Sequence, residues 1–236
     1  MKLRGRGWVV LLLGLMLSSV TLGQEPVFSG PQVGEKLPPL PIKGLVGEWE
    51  GKRLDALEEI GDRPALIVFF HTLTRPAFGM TRGLVQFAAS KQAAGMQTVV
   101  VFLTNDPTKT ERWSEILPRQ MPPGAIYGMS LEGIEGPGAY GLNRNVTLTI
   151  LVAHEGKVTA NAALAQPQLQ ADGPQIVQAI VDATGGGPVP AMSELEKGAM
   201  GMAPQRAGAR GVGGRTPQRP EAAAAAPPAA AEPTKD

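Results

Sequence analysis

The residues best suited to chemistry lie together between positions 71 and 78, where the sequence reads HTLTRPAF. Thr74 carries a hydroxyl group, but a threonine hydroxyl attacks a substrate only when an adjacent base activates it. Arg75 offers a permanent positive charge, and His71 offers a ring that titrates near neutral pH. The segment therefore predicts either an enzyme site with a hydroxyl nucleophile or a site that binds an anion.

Arg75 and His71 each have a structural alternative to a functional role. At the start of a helix, backbone N–H groups and the helix dipole favour anions, so Arg75 could help to hold a carboxylate or phosphate. The alternative is that Arg75 pairs with a nearby acid or lies in solvent. His71 could line the same cleft, or it could be a half-buried structural residue.

The composition excludes several kinds of chemistry. The chain has no cysteine, so it cannot carry out thiol–disulfide exchange. His71 and His154 are its only histidines, which leaves little material for a histidine metal site or a Ser-His-Asp triad. We therefore expect no catalytic residue, no metal and no cofactor. The formal net charge of +1 argues against an electrostatic role of the whole protein.

The segments around these residues alternate between apolar runs and amphipathic stretches from 42 to 185. Ala65–Phe70 (ALIVFF) predicts a strand buried on both faces, and Pro76 fits the first turn of a helix that continues to about Ala94. The other predicted elements are a strand at 96–103, a helix from 106 to 118, a hairpin of 147–153 with 157–163, and a helix at 174–184. This order predicts an α/β sandwich with a central mixed β-sheet flanked by helices.

The first 23 residues have the pattern of an export signal. Lys2, Arg4 and Arg6 precede an apolar run over 8–17 and then small residues up to Gly23. The run is too short to span a bilayer comfortably, so we predict a cleaved signal peptide and no transmembrane span in the mature protein. We expect a mature chain that starts near Gln24 in a bacterial periplasm or outside the cell. The alternative is an uncleaved signal that anchors the protein to the membrane.

The composition changes after Gly185. Residues 186–236 are rich in Gly, Ala, Pro and Arg and contain no Ile, Phe, Tyr or Trp, which predicts a disordered tail. Part of the tail is basic, which has two interpretations. The basic segment could bind an anionic polymer, or it could be a solvated linker. The basic residues, with no acid between them, are Lys197, Arg206, Arg210, Arg215 and Arg219.

The order of these segments resembles the thioredoxin-like fold, in the redoxin and peroxiredoxin (AhpC/TSA-type) branch. Residues 33–38 (VGEKLP) are similar to that branch's V-G-x-x-x-P opening, and 47–57 are similar to its D-G-x-x-x-x-L-x-x-L stretch. Residues 140–158 are similar to its Y-G-V-x-x-x-P-T-x-x-x-I-D-x-x-G-K-V hairpin. The resemblance implies a thioredoxin-like domain over 24–185, with its core at about 33–185.

The sequence departs from that family pattern at the two positions that redox chemistry requires. The resemblance implies a reactive cysteine, often in Cys-x-x-Cys, at the strand-to-helix junction, which here is 74–78 and contains no thiol. It also implies a cis-proline facing that junction, at the position of Leu148. Because a non-proline cis bond costs about 3–4 kcal/mol, we expect a trans bond there. Both parts of the redox site are therefore replaced.

These features predict an exported, non-catalytic module that binds an unknown protein or a small anionic ligand. The candidate cleft consists of Thr74, Arg75, His71, Phe78 and Leu148. One alternative is a redoxin-family oxidoreductase or antioxidant-type protein with a non-cysteine site in that cleft. The other alternative is that the tail is the functional part and binds an anionic polymer.

Overall fold

The computed structural model describes residues 27–201, which form one seven-stranded sheet with helices on both sides. The strands are β1 (Pro41–Gly44), β2 (Arg53–Asp55), β3 (Ala65–Phe70), β4 (Gln97–Phe102), β5 (Ile126–Ser130), β6 (Leu148–His154) and β7 (Lys157–Leu164). The helices are α1 (Ala56–Ile60), α2 (Arg75–Ser90), α3 (Pro107–Glu111), α4 (Leu117–Gln120), α5 (Leu169–Ala183) and α6 (Met192–Ala199).

The strand order in the sheet is β2-β1-β5-β4-β3-β6-β7. The neighbours β3, β4 and β5 are parallel to one another, and β1 and β6 pair with them in the antiparallel direction. The edge strands β2 and β7 are in turn antiparallel to β1 and β6. The mixed sheet with flanking helices predicted from the sequence is confirmed.

The central strand β3 divides the core into two layers. All six of its residues are buried, as its uninterrupted apolar run predicts. Because successive side chains of a strand point to opposite faces, Phe70 packs in the layer with α2 and α5, and Phe69 packs in the layer with α1. We call these the helical layer and the α1 layer.

The hairpin predicted from 147–153 and 157–163 is present, and the helix predicted from Pro76 to about Ala94 lies close to the observed bounds. Helix α2 ends at Ser90 and is followed by a short 3₁₀ turn, after which Gly95 adopts a left-handed conformation with φ of 88°. The β6–β7 hairpin turns through Glu155 and Gly156, whose φ angles of 51° and 68° are typical of a tight two-residue hairpin loop.

Two helix predictions are wrong in their bounds. The helix expected over 106–118 is interrupted: Asp106 caps α3, a 3₁₀ segment follows, and Pro118 lies in the first turn of α4 rather than ending a helix. A proline is tolerated there because first-turn N–H groups have no partner within the helix. Helix α5 begins at Leu169 and contains Pro174, although the sequence predicted a start at Pro174.

The predicted boundary of the disordered tail at 186 is also wrong. Residues 192–199 form α6, and Leu195 is only 3% exposed in the helical layer. Met192 and Leu195 lie three residues apart, as on one face of a helix, and this spacing outweighs the Gly- and Pro-rich composition around them. The rest of the tail, from 202, lies outside the described residues, as does the predicted signal peptide.

Candidate functional site

The junction between β3 and α2 begins with a capped helix. Thr74 is the N-cap of α2, and its Oγ1 accepts a hydrogen bond from Ala77 N at 3.3 Å. Such a cap satisfies one of the backbone N–H groups that a helix start leaves unpaired. Among residues 27–201, this N–H is the hydrogen-bond partner of the Thr74 hydroxyl, and no base contacts it. The hydroxyl therefore stabilises the helix and lacks the activation that a nucleophile needs.

Arg75 is the first residue of α2 and is exposed to solvent. Within the described part of the chain it forms no ion pair; the two ion pairs found there join Lys43 to Glu111 and Arg144 to Glu135. The charge is therefore free to meet a partner in solvent, and anion binding by Arg75 stays a prediction.

The ring of His71 is hydrogen-bonded to a buried hydroxyl group, and that group is bonded to a second one, an arrangement that the sequence did not reveal. Its Nε2 lies 2.9 Å from Thr149 Oγ1, and Thr149 Oγ1 lies 2.5 Å from Ser29 Oγ. Ser29 Oγ also accepts a hydrogen bond from the backbone N–H of Asn143. Ser29 and Thr149 are almost completely buried. We call His71, Thr149 and Ser29 the hydroxyl chain; it holds the N-terminal segment against the end of β3.

The surroundings of His71 favour its neutral form. Burial lowers the pKa of His71 to about 4, because the charged ring would lose its hydration. Its Nδ1 atom is buried and has no hydrogen-bond partner among the described residues. These contacts fit the structural reading of His71, and they leave it bound to Thr149 rather than to Thr74.

Phe78 and Leu148 lie on the other face of the sheet from the hydroxyl chain. Leu148 pairs with Phe70 in the sheet, is fully buried and belongs to the helical layer. The Phe78 ring packs against Phe70 and Trp113, with centroids 5.7 Å and 6.2 Å away. Thr149, by contrast, lies on the side of the α1 layer. A Cβ atom built on Gly30 would contact both Thr149 and Leu151, and Leu151 belongs to that layer.

The structure therefore does not gather the five candidate residues around one open cleft. Phe78 and Leu148 fill the helical layer, His71 is bound on the opposite face, and Thr74 and Arg75 lie at the helix start between them. Two cavities of about 660 Å³ and 690 Å³ lie elsewhere, and none of the five residues lines either. The exposed surface at the junction is formed by Thr72, Leu73, Arg75 and Pro76.

The position expected for a cis-proline has a trans bond, since residues 27–201 contain no cis peptide bond. Leu148 opens β6, and the preceding residue meets the junction through its backbone. The carbonyl of Thr147 accepts hydrogen bonds from His71 N at 3.1 Å and Thr72 N at 3.3 Å. The junction is therefore tied to β6 by backbone contacts that do not depend on a proline.

Sequence reasoning missed Ser29, Thr149 and Leu73. Ser29 and Thr149 are 120 residues apart, so no local spacing could pair them. Leu73 could have been noticed as an apolar residue between two threonines in a junction; its side chain is 47% exposed. In the part of the chain that the structure describes, no helix is long and apolar enough to cross a membrane.

No protein-family model and no curated protein sequence matches the chain. Solved structures do. A putative thiol:disulfide interchange protein DsbE from Chlorobium tepidum is 21% identical with a TM-score of 0.51, over 65% of this chain and 98% of that one. An uncharacterized conserved protein from Geobacillus kaustophilus is 14% identical with a TM-score of 0.52, over 71% and 90%.

A hypothetical protein from Sinorhizobium meliloti 1021 is similar at 13% identity and a TM-score of 0.50, over 68% of this chain and 88% of that one. At such identities the similarity concerns the fold. Together with the mixed sheet, it confirms the thioredoxin-like fold expected from the sequence. The chain has a thioredoxin-like fold and contains no cysteine.

Proposed function

We propose that this protein is an exported thioredoxin-like module without thiol–disulfide activity, and that it binds a partner protein through the surface of the β3–α2 junction. The proposal is supported by the residues that occupy the β3–α2 junction. A capping threonine stands at position 74 and an alanine at 77, while Leu73 beside them is 47% exposed. An exposed apolar side chain next to an arginine that forms no ion pair within residues 27–201, at a junction without a thiol, supports binding of a partner rather than redox chemistry.

Binding on the surface fits the geometry better than binding in a cleft. A ligand could reach Leu148 only by displacing buried side chains, because Phe78 packs against Phe70 and Trp113 above the helical layer. Leu73, Arg75 and Pro76 need no rearrangement to make contact. The partner that suits them has an apolar side chain next to a carboxylate, since the Arg75 charge lies at the positive end of a helix.

The proposal is tested by site-specific photo-crosslinking in the cells that make the protein. A crosslinking residue at Leu73 should yield a discrete adduct that is lost when Arg75→Glu is added, because the charge reversal repels an acidic partner. Val33 is a matched control, since it is also a large exposed apolar residue, at 65%. An adduct that is equal at both positions and insensitive to Arg75→Glu would count against a specific surface at the junction.

Export is supported by the sequence of the first 23 residues. The expected result is a periplasmic or secreted protein whose mass corresponds to a chain starting near Gln24. Intact Met1 on a protein that stays in the cytosol would contradict export, and an intact N-terminus at the membrane would favour the uncleaved anchor.

A second candidate function is binding of an anionic polymer by the basic tail. It is supported by the five basic residues between 197 and 219, with no acid among them. The deletion that tests it should start at Met202, because α6 packs on the domain up to Ala199. Retention on an anionic matrix should then be lost, and unchanged retention would remove this candidate.

A further inference from the structure

Helix α6 packs closely on α2 through small residues. A Cβ atom built on Gly83 would lie 2.9 Å from the Leu195 carbonyl oxygen, and one built on Gly198 would lie 3.3 Å from Gly83 Cα. The two backbones therefore approach each other more closely than ordinary side chains permit. A glycine at 83 is needed for α6 to lie in this place.

Although the two backbones lie close together, few side chains of α6 are buried against the domain. Leu195 is its one large side chain that is fully buried, and Met192 is partly buried against the helical layer. At the other end, Arg82 donates from Nη1 to the Ala199 carbonyl at 3.1 Å and from Nε to the Gln120 carbonyl at 2.6 Å. Gln170 on α5 also donates from Nε2 to Glu196 Oε1 at 3.2 Å. The side-chain attachment therefore consists of one buried leucine, one partly buried methionine and these hydrogen bonds.

The segment also has features that favour detachment. Helix α6 has eight residues, and Ala191 at its N-cap provides no side-chain hydrogen bond. Helices shorter than about 12–15 residues are marginal when they are not packed on a partner. The link from α5 contains Gly185, Gly186 and Gly187 with φ angles of 81°, 99° and 118°. Because glycine has no Cβ, these residues can adopt other backbone conformations at little steric cost.

We infer that α6 is a strap that opens and closes on α2 while the sheet stays folded. Its closed end lies beside the junction, since Ala199 contacts the position of Gly79, one turn after Arg75. Opening would uncover the Gly79–Gly83 side of α2 and free the chain from Gly185 onward. The claim that α6 opens is independent of the proposed function. Any effect of that opening on partner binding rests on the proposed function.

A disulfide staple tests the strap, because the chain has no other thiol. A Cβ built on Gly79 lies 3.9 Å from Ala199 Cβ, within the range of disulfide-bonded cysteines. In Gly79→Cys/Ala199→Cys we measure amide hydrogen exchange of 192–199 in the reduced and oxidised forms. The expected result is exchange about tenfold or more faster than in β3 when reduced, and strong protection when oxidised. The Gly79→Cys single variant is the control for oxidation.

Two alanine variants give an independent measurement. Gly83→Ala would press on the Leu195 carbonyl, whereas Gly79→Ala meets nothing closer than 3.8 Å. Gly83→Ala should therefore speed exchange in 192–199 about tenfold and leave β3 unchanged, and Gly79→Ala should not. Exchange of α6 at the same rate as β3 in the wild-type chain, or no protection by the staple, would overturn the inference. Neither readout uses a partner or a redox assay, so it can fail independently of the proposed function.

Discussion

Acid should destabilise the folded protein through His71. Burial lowers the pKa of His71 from its ordinary value of 6.5 to about 4, so the unfolded chain binds a proton at this ring between those values and the folded chain does not. The free energy of unfolding is therefore fully retained above about pH 6.5 and is lost as the pH falls from there towards 4.

The size of the effect follows from that difference in pKa. The whole interval corresponds to about 3.4 kcal/mol at about 1.36 kcal/mol for each pH unit. Because His71 is only half-buried, solvent screens part of the cost of charging it, and we expect about 1.5–2 kcal/mol. The buried Nδ1 atom, which has no hydrogen-bond partner among the described residues, also disfavours protonation of the ring. A protonated ring would place a second N–H group in a buried position without a partner.

The assay is urea unfolding at about pH 7.5 and about pH 4.5 for three proteins. Carboxylates titrate in the same range, so the informative quantity is the difference between wild type and His71→Gln, in which only this ring is removed. His154→Gln is the matched control, because His154 is the other histidine and is exposed. A wild-type protein that loses no more stability on acidification than His71→Gln would show that His71 is not the source of the acid sensitivity.

Two further substitutions test the contacts that position the junction and the sheet. Thr149→Val should lower the free energy of unfolding by about 2–3 kcal/mol by urea unfolding at neutral pH, because it leaves both Ser29 Oγ and His71 Nε2 buried without this partner; a loss below about 0.5 kcal/mol would show that the hydroxyl chain is not structural. Asp55→Ala should cost about 1–2 kcal/mol in thermal or urea unfolding, since Asp55 Oδ1 accepts from Leu40 N and caps α1 through Leu57 N; Asp62→Ala, in an exposed turn, should change little.

The parts of the fold that were predictable have local signals. Ala65–Phe70 is a continuous apolar run with a helix-starting proline soon after it, and the observed strand has the same bounds. The β6–β7 hairpin has a Glu-Gly pair at its turn. Strand β5 had no such signal: Gly128 lies in its middle because a Cβ there would come within 2.7 Å of the Ile42 side chain. The requirement for glycine at this position comes from packing against the neighbouring strand, so the local sequence gives no sign of it.

The candidate site was predictable in location but not in arrangement. The junction at 71–78 follows from the strand and the helix on either side of it. The burial of Leu148 and the bond between His71 and Thr149 depend on which face of the sheet each side chain occupies, and the β3–β6 register fixes that across about 80 residues of chain. For 192–199, the Gly- and Pro-rich composition predicts disorder, whereas the burial of Leu195 against the domain favours the observed helix α6.

The chain has a thioredoxin-like fold with a strand-to-helix junction at 71–78, and it contains no thiol. The most direct test of the claim that it lacks thiol–disulfide activity is insulin reduction with dithiothreitol by the wild-type chain and by Thr74→Cys/Ala77→Cys. The pair lies in the first turn of α2, where a thiol at 74 would meet the Ala77 N–H and have its pKa lowered by the helix start. We predict that the wild-type rate equals that of a cysteine-free control protein and that the double variant exceeds it. A wild-type rate above the control would contradict the proposed absence of thiol–disulfide activity.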